Sequence, residues 1–256
     1  MEIAVCIRRV PDTAEAELEV ASDGRGIELE DLPWDINEWD NFAVETAVQL
    51  KEKHGGRVTA LTVGLEDDEE VLRRALAMGA DAAVHLHDPA FADLDAHGIA
   101  AALAAAFDTP VDLVICGAIS SDRGSGAVGG LLAARLGVPF VALATALEVA
   151  DGVATVRHEV EGGRERVVAV DLPAVVSVQT GICEPRYVSI RGIRKVAGAE
   201  IPVKDAAALG VTTERRIQLE EVFVPPRGEG AEILEGSDEE MVEALVERLY
   251  REGGLS

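Results

Sequence analysis

Over the first two-thirds of the chain, short aliphatic runs alternate with longer stretches of helical periodicity. Runs at Ile3–Ile7, Val58–Val63, Ala83–Leu86, Val111–Cys116 and Pro139–Ala142 predict strands. Helices are predicted between them, at Glu38–Lys53, Asp68–Met78, Ala96–Ala106 and Gly126–Leu136. In AVETAVQL the apolar positions recur at helical spacing, placing Glu45 and Gln49 on other faces. IAAALAAAF combines strong helix propensity with no breaker. Uninterrupted aliphatic strands separated by helices are the mark of a parallel sheet covered on both sides.

The texture changes near Leu147. From Glu148 to Val170 the residues alternate, with turns at Asp151-Gly152 and Gly162-Gly163, which predicts an antiparallel hairpin feeding a strand at Ala174–Val178. After Lys204 the pattern thins to a short helix near Ala206, the extended FVPPRGEGAEILEG and an acidic helix over Ser237–Arg251. Ser237 and Glu240 have the spacing of a capping box. So thin a tail does not fold alone. It packs on its own domain or forms an arm around another subunit, and the arm is the expected arrangement. The domain division is thus 1–204 for an α/β domain and 205–256 for the arm.

Charge narrows the function. Against 47 acidic residues stand 23 basic ones, a net −24, which argues against nucleic acid as a partner. Only four of those cations are lysines (Lys51, Lys53, Lys195 and Lys204), a balance suited to a salt-rich cytoplasm or to a GC-rich genome. Cys6, Cys116 and Cys183 are widely spaced, so neither a disulfide framework nor a paired metal motif is indicated. No apolar run is long enough to span a bilayer, and Ile3–Ile7 followed by Arg8-Arg9 reads as a first strand rather than a leader. A reducing cytoplasm is the expected location.

Three segments carry candidate chemistry. His85 and His87 form an H-x-H at a strand end without an evident third ligand, so a structural pair is expected rather than a metal site. The segment CGAISSDRGSGAVGG, Cys116–Gly130, follows a strand and opens a helix. Its backbone N–H groups and helix end suit a phosphate, with Gly124, Gly126, Gly129 and Gly130 permitting close approach and Ser120, Ser121 and Ser125 offering hydroxyls. The alternative is a tight turn with glycines for packing. A nucleotide at a topological switch point would also meet Cys6–Thr13, WDINEWD around Asn37 and the loop at Val63-Gly64. The third segment, EPRYVSIRGIRKV at 184–196, gathers Arg186, Arg191, Arg194 and Lys195 around Ile190 in an otherwise acidic chain. It is either a solvated loop or a docking loop in which cations steer an acidic partner and Ile190 is the apolar anchor.

EPRYVSIRGIRKV resembles the signature region of electron transfer flavoprotein beta subunits. The resemblance extends through IRRVPDTAE, NFAVETAVQLKEK, VLRRALAMGADAAVHL, LPAVVSVQTG and AEIPVKDAAALGV, nearly the whole chain. It implies a Rossmann-like adenine-nucleotide-binding α/β domain with a C-terminal arm packing on an alpha subunit that holds most of the FAD. It further implies AMP bound in this chain, or a second FAD as in electron-bifurcating members. Electrons would pass from dehydrogenases, such as those acting on acyl-CoA, to a quinone reductase. Carried over position by position, the nucleotide site comprises Cys6, Asn37, Asp40, Val63, Asp122, Ser125, Gly126, Ala127 and Val128. The partner-binding residues become Ile190, Arg191, Arg194 and Lys195, in recognition loop 184–196. Thr13 falls near the flavin, where some members carry an aromatic. Many members have a Gln-Ala-Ile-Asp stretch where this chain reads Ile119-Ser120-Ser121-Asp122, and Ala127 has no side-chain donor. Arg123 is a candidate to neutralise a phosphate instead, or else faces solvent. A stand-alone nucleotide-binding regulatory domain and an α/β enzyme on an adenylated substrate are the remaining alternatives; no placed general base supports the latter.

Overall fold

The computed structural model describes residues 1–13, 18–29, 32–226, 228 and 230–253. Ala14 and Glu15 of the IRRVPDTAE motif, and Arg227 and Glu229 of the extended tail segment, lie outside the described residues. The chain forms two compact units, Met1–Glu19 with Glu28–Glu220, and Val20–Ile27 with Glu221–Ser256.

In the first unit the chain runs β1 (Glu2–Cys6), β2 (Arg9–Pro11), β3 (Trp34–Ile36), α1 (Glu38–His54), β4 (Arg57–Gly64), α2 (Glu69–Met78) and β5 (Ala82–His87). It continues through α3 (Ala96–Ala105), β6 (Leu113–Gly117), α4 (Val128–Leu136), β7 (Phe140–Ala150), β8 (Val153–Val160), β9 (Arg164–Asp171) and β10 (Ala174–Val178). Last come α5 (Ile190–Val196), β11 (Val203–Lys204) and α6 (Ala206–Leu209). The main sheet has the order β11-β5-β4-β1-β6-β10-β7-β8-β9, while β2 and β3 pair antiparallel beside it. From β11 to β7 every pairing is parallel. The α/β parallel sheet read from the alternation of runs is the observed architecture.

The aliphatic strands are unbroken because both faces are covered. Along β1, Ile3 and Val5 join a core with Val44, Val48, Leu72 and Met78 of α1 and α2. Ala4 and Cys6 point the other way, into a core with Leu103 of α3 and Leu132 of α4. The expected hairpin is present as β8–β9, and it belongs to a longer meander. Strand β7 runs eleven residues, pairing parallel to β10 in its first half and antiparallel to β8 in its second. Register shifts on both sides of Leu143, whose φ of 55° is unusual for a branched residue, mark the bulge where one strand changes partners. A break in residue texture near Leu147 thus corresponds to a change of partner within one strand.

The first unit continues past Lys204. Asp205 caps α6, Ala206 donates its N–H to Asp88, and Leu209 is buried with the α3–α4 core. In the second unit Val20 and Ile27 form an antiparallel bridge and Val222 donates to the Gly24 carbonyl. Its helix α7 (Asp238–Arg251) opens on the predicted Ser237–Glu240 capping box. Val242, Leu245, Val246 and Leu249 form an exposed apolar stripe along it at i, i+3, i+4 and i+7.

Candidate nucleotide site and docking helix

Strands β1 and β6 are adjacent, with Cys6 opposite Cys116, and the chain leaves them in opposite directions across the sheet. Their carboxyl ends therefore form the switch-point crevice of an open α/β sheet. Asp40, in the first turn of α1, sits beneath that crevice, 6% exposed. One carboxylate oxygen accepts the Gly117 N–H at 2.9 Å and the other the Arg8 N–H at 2.8 Å, tying the ends of β1 and β6 together. Asn37 precedes α1 without capping it. Its side-chain amide donates to the Ile119 carbonyl at 2.9 Å and its oxygen accepts the Ser121 N–H at 3.3 Å. Trp39 completes the wall by donating its indole N–H to Gln179 beyond β10, at 2.8 Å. Cys6 and Cys116 are buried side by side at the ends of β1 and β6, and Val63 is half-buried near the end of β4. Burial pushes the Cys116 thiol up to about 12 and the Cys6 thiol well above its usual value, so both behave as small apolar groups.

The loop after β6 is held from both sides. Asp122 accepts from the Arg8 guanidinium at both oxygens, Nε lying 3.1 and 2.9 Å from the two and Nη2 donating to the second. Burial works to raise the Asp122 carboxyl, but that pairing outweighs it and holds the group below its usual range. Arg123 donates to the carbonyls of Leu94 and Ala92. Exposed Arg123 thereby ties the loop to the segment before α3. The loop glycines divide by role. A Cβ at Gly129 would lie 2.9 Å from the Cys116 sulfur and one at Gly130 3.4 Å from Phe140, so these two serve packing. Gly124 and Gly126 take φ of 58° in an otherwise open loop, the left-handed conformation that favours glycine.

Helix α4 begins at Val128, two residues later than the sequence predicts, with Ala127 at its N-cap. No side chain caps it, and its first turn contains no acidic residue. Exposed Ser125 and Gly126 lead directly into this positive helix end. Backbone donors without an internal partner, a serine hydroxyl and no competing carboxylate together fit an anionic group such as a phosphate.

Asp40 makes the site sensitive to pH. Burial drives its carboxyl up from the usual 3.8 to about 7, against the lowering influence of hydrogen bonds from Gly117, Asn37 and Arg8. A carboxyl whose folded pKa exceeds its unfolded value binds its proton more tightly in the fold. Its contribution to stability is present below the unfolded value and is lost as pH rises through the folded one. Between about pH 4 and about pH 8 the protein should thus lose stability relative to Asp40→Asn, by on the order of a few kcal/mol. Urea unfolding of both proteins across that range measures the gap; a constant gap contradicts the assignment.

The segment 184–196 is not a loop throughout: Ile190–Val196 forms α5, with the Ser189 hydroxyl accepting the Gly192 N–H. Ile190 is 68% exposed, and Arg191, Arg194 and Lys195 are exposed around it. Arg186 does not join them. It donates through Nε and Nη2 to Glu45, at 2.8 and 3.0 Å, and through Nη1 to Glu52 at 2.9 Å. Glu45, placed on an outer face by periodicity, is 3% exposed. Burial alone would raise its carboxyl, but bonds from Arg186 and Gln49 hold it below the usual range. A glutamate flanked by Val44, Thr46 and Ala47, with Glu52 two turns further along the same face, was the available signal that a distant cation was required.

The rings of His85 and His87 stand 5.2 Å apart, and His87 Nδ1 faces the Gly64 carbonyl at 3.2 Å. Among the described residues no cluster of three His, Cys, Asp or Glu side chains is placed to hold a metal, and no helix is long and apolar enough to cross a membrane.

Residues 26–209 match the sequence model of the Electron transfer flavoprotein domain. Electron transfer flavoprotein subunit beta of Bacillus subtilis is 35% identical, with 98% of each chain covered. Protein FixA of Azotobacter vinelandii is 32% identical over 98% of this chain and 95% of its own. The Caffeyl-CoA reductase-Etf complex subunit CarD of Acetobacterium woodii is 33% identical over 97% and 98% respectively.

Proposed function

Because the chain belongs to the electron transfer flavoprotein beta-subunit family, whose members are electron carriers rather than enzymes, we propose that it holds AMP at the β1–β6 crevice while its alpha subunit holds most of the FAD. The observation that carries the nucleotide assignment is the uncapped start of α4, approached by an open Ser125-Gly126-Ala127 backbone. The backbone N–H groups at Ala127 and Val128 would receive a phosphate, with Ser125 adding a hydroxyl. Asn37 and Asp40 keep the loop and the two strand ends in register beneath it. FAD, when bound, supplies the redox chemistry; this chain contributes positioning, electrostatics and recognition. Denaturing the purified heterodimer and weighing the released ligands tests the reading, with one AMP expected per FAD. Two FAD and no AMP would assign the crevice to a second flavin, as in a bifurcating carrier. One FAD and no other nucleotide would overturn the site.

Docking is assigned to α5. Ile190 is the apolar anchor for dehydrogenases, such as those acting on acyl-CoA, and for a quinone reductase; Arg191, Arg194 and Lys195 steer their acidic surfaces. The apolar stripe of α7 is assigned to the alpha subunit, since no residue of that helix is buried in this chain. Ile190→Ala is expected to reduce transfer from a dehydrogenase by about tenfold, the scale of a lost interface anchor, with flavin content intact. Unchanged stopped-flow kinetics would remove the anchor role.

A further inference from the structure

Helix α5 packs along α2, half-burying Gly192 and Val196, but fully buries none of its residues, and seven residues do not sustain a helix by length alone. Its ends are held as well. At the start is the Ser189 cap; at the finish, Arg73 of α2 donates through Nη1 to the carbonyls of Ala197 at 2.7 Å and Val196 at 3.2 Å. Arg73 is itself aimed by Glu69, one turn earlier, which accepts from its Nε at 2.8 Å. A guanidinium on the last carbonyls satisfies acceptors that a helix end leaves open and opposes its negative dipole end. Val71, Leu72 and Ala75 bury the other side of α2, giving Arg73 a rigid platform.

We propose that Arg73 is a positioning residue for partner docking. By gripping the carboxyl end of α5 it fixes where Ile190 points, so that the anchor is presented already ordered. This rests on the docking reading of Ile190. It extends that reading to a residue more than a hundred positions away in sequence, on a different helix. Nothing in VLRRALAMGADAAVHL distinguishes Arg73 from its neighbour Arg74, which turns instead to Asp35 at 2.6 Å.

The test uses the intact heterodimer and an acyl-CoA dehydrogenase chosen because it reduces the wild-type complex. Initial transfer rates are followed against dehydrogenase concentration for Arg73→Gln, Arg73→Lys, Ile190→Ala and the Arg73→Gln/Ile190→Ala double variant. Arg73→Gln should raise the half-saturating dehydrogenase concentration about fivefold, the scale of a helix-end charge, and leave the saturated rate unchanged. Arg73→Lys should recover part of the loss, and Arg73→Gln should add nothing once Ile190 is alanine. Amide exchange should quicken over residues 190–199 alone; should Arg73→Gln not fold, Glu69→Gln carries the same measurements. An impaired Ile190→Ala beside an unaffected Arg73→Gln would overturn the positioning role and leave the docking reading standing. Equal effects of Arg73→Gln in both backgrounds would likewise overturn it. A silent Ile190→Ala would overturn the docking reading itself, and the positioning role with it.

Discussion

Arg186→Ala should lower the folding free energy by about 2–3 kcal/mol, less than the cost of breaking a fully buried ion pair because the arginine is itself partly exposed. Glu45 is 3% exposed, and its carboxylate is compensated chiefly by the Arg186 guanidinium; it also accepts the Gln49 amide and the residue-186 backbone N–H. Without the guanidinium a charge stays buried with two neutral donors. Against a total stability on the order of 10 kcal/mol, that loss is large. The deficit has a pH signature. Glu45 is held below its usual 4.5 in the fold, so the stabilisation exists above that value and disappears as pH falls through the folded value. Urea midpoints at neutral and acid pH should therefore converge for wild-type and variant. Glu45→Gln/Arg186→Met, which removes both charges, should recover much of the loss. A single variant as stable as wild-type at neutral pH would show that Glu45 finds another cation.

Gly117→Ala is the second large effect, and its cause is contact rather than backbone conformation. An added Cβ would stand 2.4 Å from an Asp40 carboxylate oxygen, 2.7 Å from the Trp39 Cβ and 3.0 Å from the Asp40 backbone nitrogen. None of these is the free end of a flexible chain, so the start of α1 must move away from the end of β6. The expected cost is about 3 kcal/mol, as for overpacking a closely packed site. The same displacement strains the Gly117–Asp40 hydrogen bond and the Asn37 bridge to the phosphate loop, so the variant should purify with less nucleotide than wild-type. Gly198→Ala is the control, because nothing lies within 4 Å of its added Cβ. Equal stability and equal nucleotide retention for the two variants would refute the close-approach argument.

Residue pattern alone located β1, β4, β5, β6 and β10 to within two residues and marked Ile190 as an apolar residue without a core role. The glycine-rich segment was identified as a strand-to-helix connection, and the positive end of α4 could be placed to within one turn. One reading failed where an interaction lay outside the window of periodicity: Arg186 counted as one more surface cation, although Glu45 and Glu52 claim it. The length of β7 was missed for a related reason: a bulge lets a strand change partners without any breaker residue.

Periodicity is a property of neighbours three, four or two positions apart, so the chain by itself determined which stretches are helix or strand and which of their faces are apolar. The order in which strands lie side by side determined everything that joins distant residues. Arg8 meets Asp122, Asp40 meets Gly117, Glu45 meets Arg186 and Arg73 meets Ala197 across separations of 77 to 141 positions. Such pairings leave no local signature, because each side chain taken alone is compatible with an ordinary solvated position. They come into existence only when the sheet closes and a polar group cut off from water must find a partner within about 3 Å.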